Sequence, residues 1–113
     1  MAPSTVLVED PIGGGRVDID DERALTTVHL HGEIDAASTP LLHDLLHQCA
    51  YAGHPVTIEL GALTFMDSAG LNFLARLVTT SAPARVTLAH PGPQVTFLLQ
   101  RTGLEQLFDI TTA

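Results

Sequence analysis

At 113 residues the chain has the length of one domain, large enough to bury about two-thirds of its unfolded surface without disulfide staples. Its composition, 45% hydrophobic and 16% charged, excludes a disordered segment and indicates a globular fold. Thirteen acidic residues face five basic ones, all arginine, for a formal charge of −8. That balance offers no cationic cluster to neutralise phosphates, which makes direct nucleic-acid binding and anionic membranes poor functions for the chain.

No apolar run approaches the roughly 20 residues of a membrane-spanning helix. Met1-Ala2-Pro3-Ser4-Thr5 lacks the basic and apolar regions of a secretory signal, so a cytoplasmic location is expected. The single cysteine, Cys49, cannot form an internal disulfide and suits a reducing compartment.

Residues 4–8 and 16–19 are short β-rich runs, and Pro11-Ile12-Gly13-Gly14-Gly15 between them reads as a hairpin turn. A phosphate-binding loop would need a Lys-Ser/Thr after the glycines, and none follows. Leu25 to His31 is the next strand, with Val28 and Leu30 on one face and His29 and His31 on the other. Gly32 to Thr39 reads as a loop closing on a helix start, where Thr39 suits the N-cap and Pro40 the first helical position. Leu41, Leu42, Leu45, Leu46 and Cys49 then recur at helical spacing, and Gly53 with Pro55 ends the helix.

Val56 to Leu60 is a strand, and residues 61–66 lead from it to Asp67-Ser68. A second amphipathic helix carries Leu71, Leu74, Leu77 and Val78 and stops at Pro83, and Arg85 to His90 forms a further strand. Pro91-Gly92-Pro93 opens a third helix bearing Val95, Leu98 and Leu99. Gly103 before Leu104 suits a left-handed C-cap with an apolar residue just beyond it. Leu107, Phe108 and Ile110 fold back on the core as a short final element. Strands separated by single helices imply parallel pairing through right-handed crossovers, and the N-terminal hairpin makes the sheet mixed. The expectation is one α/β domain over residues 1–113, with its core within about 5–110.

Residue chemistry leaves Ser68 two roles. It stands at a helix start, where its hydroxyl could cap the first turn, a duty Asp67 could also take. The same helix N-terminus favours anionic groups, so a phosphate there is compatible with the fold. Asp35 has an Asx-turn reading, Ser38 and Thr39 have capping readings, and Gly70 reads as a small residue allowing close approach. His43 and His47 lie one helical turn apart, but no HExxH acid lies between them and no third ligand is fixed nearby, so neither metal nor cofactor is expected. The residue two before Ser68 is Met66, which breaks the G-x-S-x-G form of a hydrolase nucleophile elbow. No catalytic residues are assigned.

Three blocks in order extend a resemblance over nearly the whole chain: Leu30-His31-Gly32-Glu33-Ile34-Asp35 with Pro40; Leu63 to Leu71; and His90-Pro91 through Val95 and Leu98 to Thr102-Gly103-Leu104 and Leu107-Phe108. Together they resemble the STAS family, specifically the bacterial anti-sigma factor antagonists. That resemblance implies a four- to five-stranded mixed sheet with helices mainly on one face. It also implies a protein, not an enzyme, that binds an anti-sigma factor of the ATP-dependent serine-kinase type and so controls transcription indirectly. The kinase then phosphorylates the bound protein, and a PP2C-type phosphatase resets it.

Ser68 matches the phosphoacceptor position, Asp67 its preceding acid, and Asp35 the acid of the first loop. Ser38, Thr39, Ala69, Gly70 and Asn72 complete the expected partner-binding set. Ala69 stands where the family often has a second serine, and Asn72 where small residues are common. An exposed apolar rim would promote weak homodimers. The alternative function is a STAS subunit serving another client, such as a lipid-transport ATPase or a signalling scaffold, without obligatory phosphorylation.

Overall fold

The computed structural model describes residues 4–9, 16–22, 25–52, 55–82 and 85–112. The chain runs β1 (Ser4–Glu9), β2 (Arg16–Glu22), β3 (Leu25–Ile34), a 3-10 turn (Ala36–Ser38), α1 (Thr39–Ala52), β4 (Val56–Met66), α2 (Ser68–Ser81), β5 (Val86–Ala89), α3 (Pro93–Thr102), a second 3-10 turn (Leu104–Leu107) and β6 (Asp109–Thr111). The strands lie in sequence order in one sheet. β1, β2 and β3 pair antiparallel, while β3 to β6 pair parallel across the three helices. The mixed α/β architecture is therefore as expected. The sheet has six strands against the expected four or five, because residues 109–111 pair with β5 as a strand of their own. The turn expected at residues 11–15 and the helix stops at Gly53 and Pro83 lie outside the described residues.

Alternation along the strands explains why the helices share one face. Val28 and Leu30 of β3, Val56, Ile58 and Leu60 of β4, and Val86 and Leu88 of β5 are buried. The residues between them, Thr27, His29, Thr57, Glu59 and Thr87, remain partly exposed. With period-two alternation, one sheet face enters the core and the other meets solvent. Leu42, Leu45, Leu46 and Cys49 of α1, Leu71, Leu74 and Leu77 of α2, and Val95 and Leu99 of α3 close over the buried face in a single cluster. Cys49 is thus a core residue. Gly103, at φ 74°, ends α3 in the left-handed region and sends Leu104 back against the core, as its position before an apolar residue implied.

Two strands run further than their residues suggested. β3 continues through Gly32-Glu33-Ile34, expected to be loop, and β4 continues through residues 61–66. Their pairing shifts between His29 and His31 and again between Gly32 and Glu33, each time placing an extra residue on β4. Such bulges hide a strand from alternation counting, and Gly32 supplies the positive φ of 73° that the irregular backbone uses. β5 is shorter. Its pairing with β4 ends at Glu59–Ala89, so β4 projects past its neighbour and carries the chain to Asp67 with β3 on only one side.

On the solvent face, Glu59 accepts from the Gly61 N–H at 2.8 Å and lies 2.9 Å from Nδ1 of His90. Desolvation pushes the Glu59 carboxyl up. The His90 hydrogen bond, the Gly61 N–H and the charges of His90 and His29 outweigh it and hold the group below its ordinary value of 4.5. A depressed carboxyl contributes stability that is present above its unfolded pKa and lost as pH falls through the folded value. Glu59→Gln keeps an acceptor for Gly61 and removes the charge. The Tm gap between wild type and this variant is expected to be wider above 4.5 than below it, and to close as pH falls through the depressed folded value. A constant gap across that window would show that the charge contributes nothing.

Candidate functional site

The end of β4 leads directly into the second helix. Asp67 has extended backbone, φ −112° and ψ −164°, and its Oδ1 accepts from the Ala69 N–H at 2.8 Å. Its carbonyl accepts from the Leu71 N–H at 3.1 Å. Asp67 is therefore the N-cap of α2, and Ser68 is the first helical residue. The capping role open to Ser68 in the sequence belongs to its neighbour. Ser68 is exposed, and among the described residues no hydrogen bond engages its hydroxyl.

The preceding loop is built in the same way. Asp35 Oδ1 accepts from the Ala37 N–H at 3.0 Å, and Ser38 Oγ accepts from the Asp35 N–H at 3.2 Å, a reciprocal capping box. The chain therefore turns helical at Ala36, and Thr39 is not the N-cap expected of it. Thr39 has helical backbone, with its hydroxyl donating to the Ala36 carbonyl at 2.8 Å. Ser38 was expected at the partner surface but is fully buried, held inward by the hydrogen bond it accepts from the Asp35 N–H. The two loops are side by side, because the Asp67 N–H donates to the Ile34 carbonyl at 3.2 Å. Asp35 and Asp67, both partly exposed, thus follow adjacent strand ends.

Gly70 is buried in the first turn of α2. A Cβ there would lie 2.4 Å from Cγ and 2.9 Å from Sδ of Met66, a side chain with no exposed surface. Its small size therefore serves the domain interior: Met66 passes beneath the helix start that carries Ser68. Ala69 is half-buried, and Asn72 and Thr39 are exposed. A groove of about 90 Å³ opens between α1 and α2, with Leu42, Leu46 and Phe73 among its walls and Thr39, Asn72 and Arg76 among its lining. Ser68, Asn72 and Arg76 succeed one another at intervals of four, so one stripe of α2 runs from the serine along the groove.

Reading the sequence missed Arg76, although that four-residue interval was available to find it. It also missed Gln94 of α3, whose carboxamide reaches back 28 positions to bond both the N–H and the C=O of Met66. No local pattern announces such a contact. His43 and His47 meet edge-on with ring centroids 4.8 Å apart, and among the described residues no third side chain joins them in a group that could hold a metal.

The STAS domain profile matches residues 16–113. This chain belongs to the STAS domain family. Its fold is similar to that of a putative anti-sigma factor antagonist from Thermotoga maritima, at 13% identity and TM-score 0.76, covering 84% of this chain and 85% of that one. An anti-sigma factor antagonist from Mycobacterium paratuberculosis is 23% identical, with TM-score 0.71 and coverage of 97% and 87%. The Bacillus cell fate determinant SpoIIAA in its phosphorylated form is 18% identical, with TM-score 0.65 and coverage of 96% and 92%. No curated protein sequence matches the chain. In this STAS domain no described helix is long and apolar enough to cross a membrane.

The fit of Met66 under Gly70 yields a prediction with opposing terms. Gly70→Ala gains about 0.5–1 kcal/mol of helix propensity. Forcing a methyl against a buried side chain costs about 1–3 kcal/mol. Net destabilisation in urea unfolding is expected. Pairing the substitution with Met66→Ala should give a loss smaller than the sum of the two single losses. Strict additivity would mean that the two residues do not compete for the same space.

Proposed function

We propose that this STAS domain is an anti-sigma factor antagonist. Its unmodified form binds an anti-sigma factor of the ATP-dependent serine-kinase type, and phosphorylation of Ser68 by that partner ends the complex. The observation that carries the reading is the state of Ser68. It is the exposed first residue of α2, its hydroxyl is unengaged among the described residues, and Asp67 performs the capping. A serine relieved of structural duty at a helix N-terminus can receive a phosphate without dismantling the loop. Similarity of fold to anti-sigma factor antagonists, one of them in a phosphorylated form, supports the same reading.

In this mechanism the γ-phosphoryl of ATP passes to Oγ of Ser68 and ADP departs. No described residue hydrogen-bonds the Ser68 hydroxyl, so the base that takes its proton comes with the kinase. Asp35, Thr39, Asp67, Ala69 and Asn72 form the partner-facing set, while Ser38 and Gly70 support it from within. Phosphoserine adds about −1.5 to −2 charges beside Asp67 at neutral pH. Like charges brought together at an interface are strongly unfavourable, so affinity falls. A PP2C-type phosphatase removes the group and restores binding. Transcription is controlled through the partner, without contact to nucleic acid by this chain.

The test is incubation with anti-sigma serine kinases and ATP, mass-spectrometric mapping, and titration of both forms against the same kinase. Phosphate is expected on Ser68 and nowhere in Ser68→Ala. Affinity should drop at least ten-fold, equivalent to about 1.4 kcal/mol. The circular dichroism spectrum should not change and Tm should not fall, since a negative group suits the helix N-terminus. Absence of phosphate at Ser68 with every such kinase would move the assignment to a STAS subunit serving another client.

A further inference from the structure

We propose that Gln94 is a positioning residue for the Ser68 loop, an inference that rests on the reading of Ser68 as phosphoacceptor. Neighbouring residues of a parallel strand direct their backbone N–H and C=O to opposite sides. Asp67 turns its N–H toward β3, bonding the Ile34 carbonyl at 3.2 Å. Met66 therefore turns its own N–H and C=O the other way, toward the place a neighbouring strand would occupy. β5 does not reach it, having left β4 at Glu59.

The Gln94 carboxamide fills that place. Its Oε1 accepts from the Met66 N–H at 3.1 Å, and its Nε2 donates to the Met66 carbonyl at 2.6 Å. A primary amide offers the same acceptor and donor as a backbone peptide, so a single side chain supplies the pairing of a missing strand residue. The residue so held immediately precedes the Asp67 cap, and its side chain packs beneath Gly70. Position 94 thus fixes the origin of the turn that aims Ser68 outward. Pro93 at the start of α3 and the buried Val95 beside it set the carboxamide in reach.

Amide hydrogen exchange on the intact chain tests this without a kinase. In Gln94→Met, which is close in volume but cannot pair, exchange at Met66 is expected to rise about ten-fold, and exchange at Ala69, bonded to the Asp67 cap, several-fold. Ile58 in the middle of β4 should keep its protection. Gln94→Glu should lose less protection than Gln94→Met at neutral pH, because its carboxylate still accepts from the Met66 N–H but faces the Met66 carbonyl with no proton to donate. Protection factors should recover further as pH falls and the protonated acid regains the donor for the Met66 carbonyl. Unchanged exchange at Ala69, or no acid recovery in Gln94→Glu, overturns the proposal.

With a kinase that modifies the wild type, Gln94→Met should lower kcat/KM for Ser68 by about ten-fold at unchanged Ile58 protection. An unchanged kcat/KM also overturns the proposal. A wild type that no kinase modifies removes the phosphoacceptor reading alone, and the exchange data still decide whether Gln94 holds the loop.

Discussion

The architecture of this domain depends on how the free end of β4 is held. Most strands in a parallel sheet end where their neighbours end, but here β4 passes β5 and runs on to Met66 with only β3 beside it. A strand end paired on one side presents unsatisfied peptide groups, which carry a free-energy cost when shielded from water. The structure resolves this from three directions. The Ile34 carbonyl takes the Asp67 N–H, the Gln94 carboxamide takes both groups of Met66, and the Met66 side chain fills the space that Gly70 leaves under α2. Each contact comes from a different element, so β3, α2 and α3 converge on one dipeptide step.

That convergence sets the division of labour in the two loops. Both use an aspartate in extended backbone as the cap, with Oδ1 on the N–H two residues on. In the first loop the serine at Ser38 turns inward and closes the capping box. In the second the serine at Ser68 immediately follows the cap, where its hydroxyl has no such bond to make. The position relative to the cap, rather than residue type, separates a buried structural serine from an accessible one. The acids serve the fold first, and any partner recognition by Asp35 and Asp67 uses oxygens already oriented by the backbone.

Much of this was legible in the residues. The apolar spacing of Leu42, Leu45, Leu46 and Cys49, and of Leu71, Leu74 and Leu77, marked the faces of α1 and α2. Gly103 before Leu104 marked the end of α3. What escaped reading was irregular or distant. The two bulges broke the alternation of β3 and β4, so residues 32–34 and 61–66 looked like loop. Thr39 before Pro40 resembled a cap, but the capping box at Asp35 and Ser38 started the helical turn earlier. β6 has three residues, too few for periodicity, and is held by pairing with β5 and by the Arg85–Asp109 ion pair across 24 positions. Gln94 could not be found locally, since an amide 28 residues away carries no signature in spacing.

On the proposed function, the placement of Ser68 also decides what kind of switch the site is. A phosphate added to a buried or capping serine would have to displace a hydrogen bond or desolvate a dianion, and the fold would carry the signal by breaking. Ser68 offers neither route: its side chain is exposed and its cap is made by another residue. Charge at the first turn is favoured by the helix macrodipole, by about 0.3–1 kcal/mol at an exposed site. A phosphate placed there would therefore change the surface and spare the interior. On a chain already carrying a formal charge of −8, the proposed phosphate beside Asp67 would be tolerated by the folded domain and opposed only where another molecule must cover it. A signal of this kind requires the loop to be rigid, because a mobile serine could swing its phosphate away from the interface. The pinning of the Met66–Asp67 step from three sides meets that requirement, which ties the irregular end of β4 to the function proposed for Ser68.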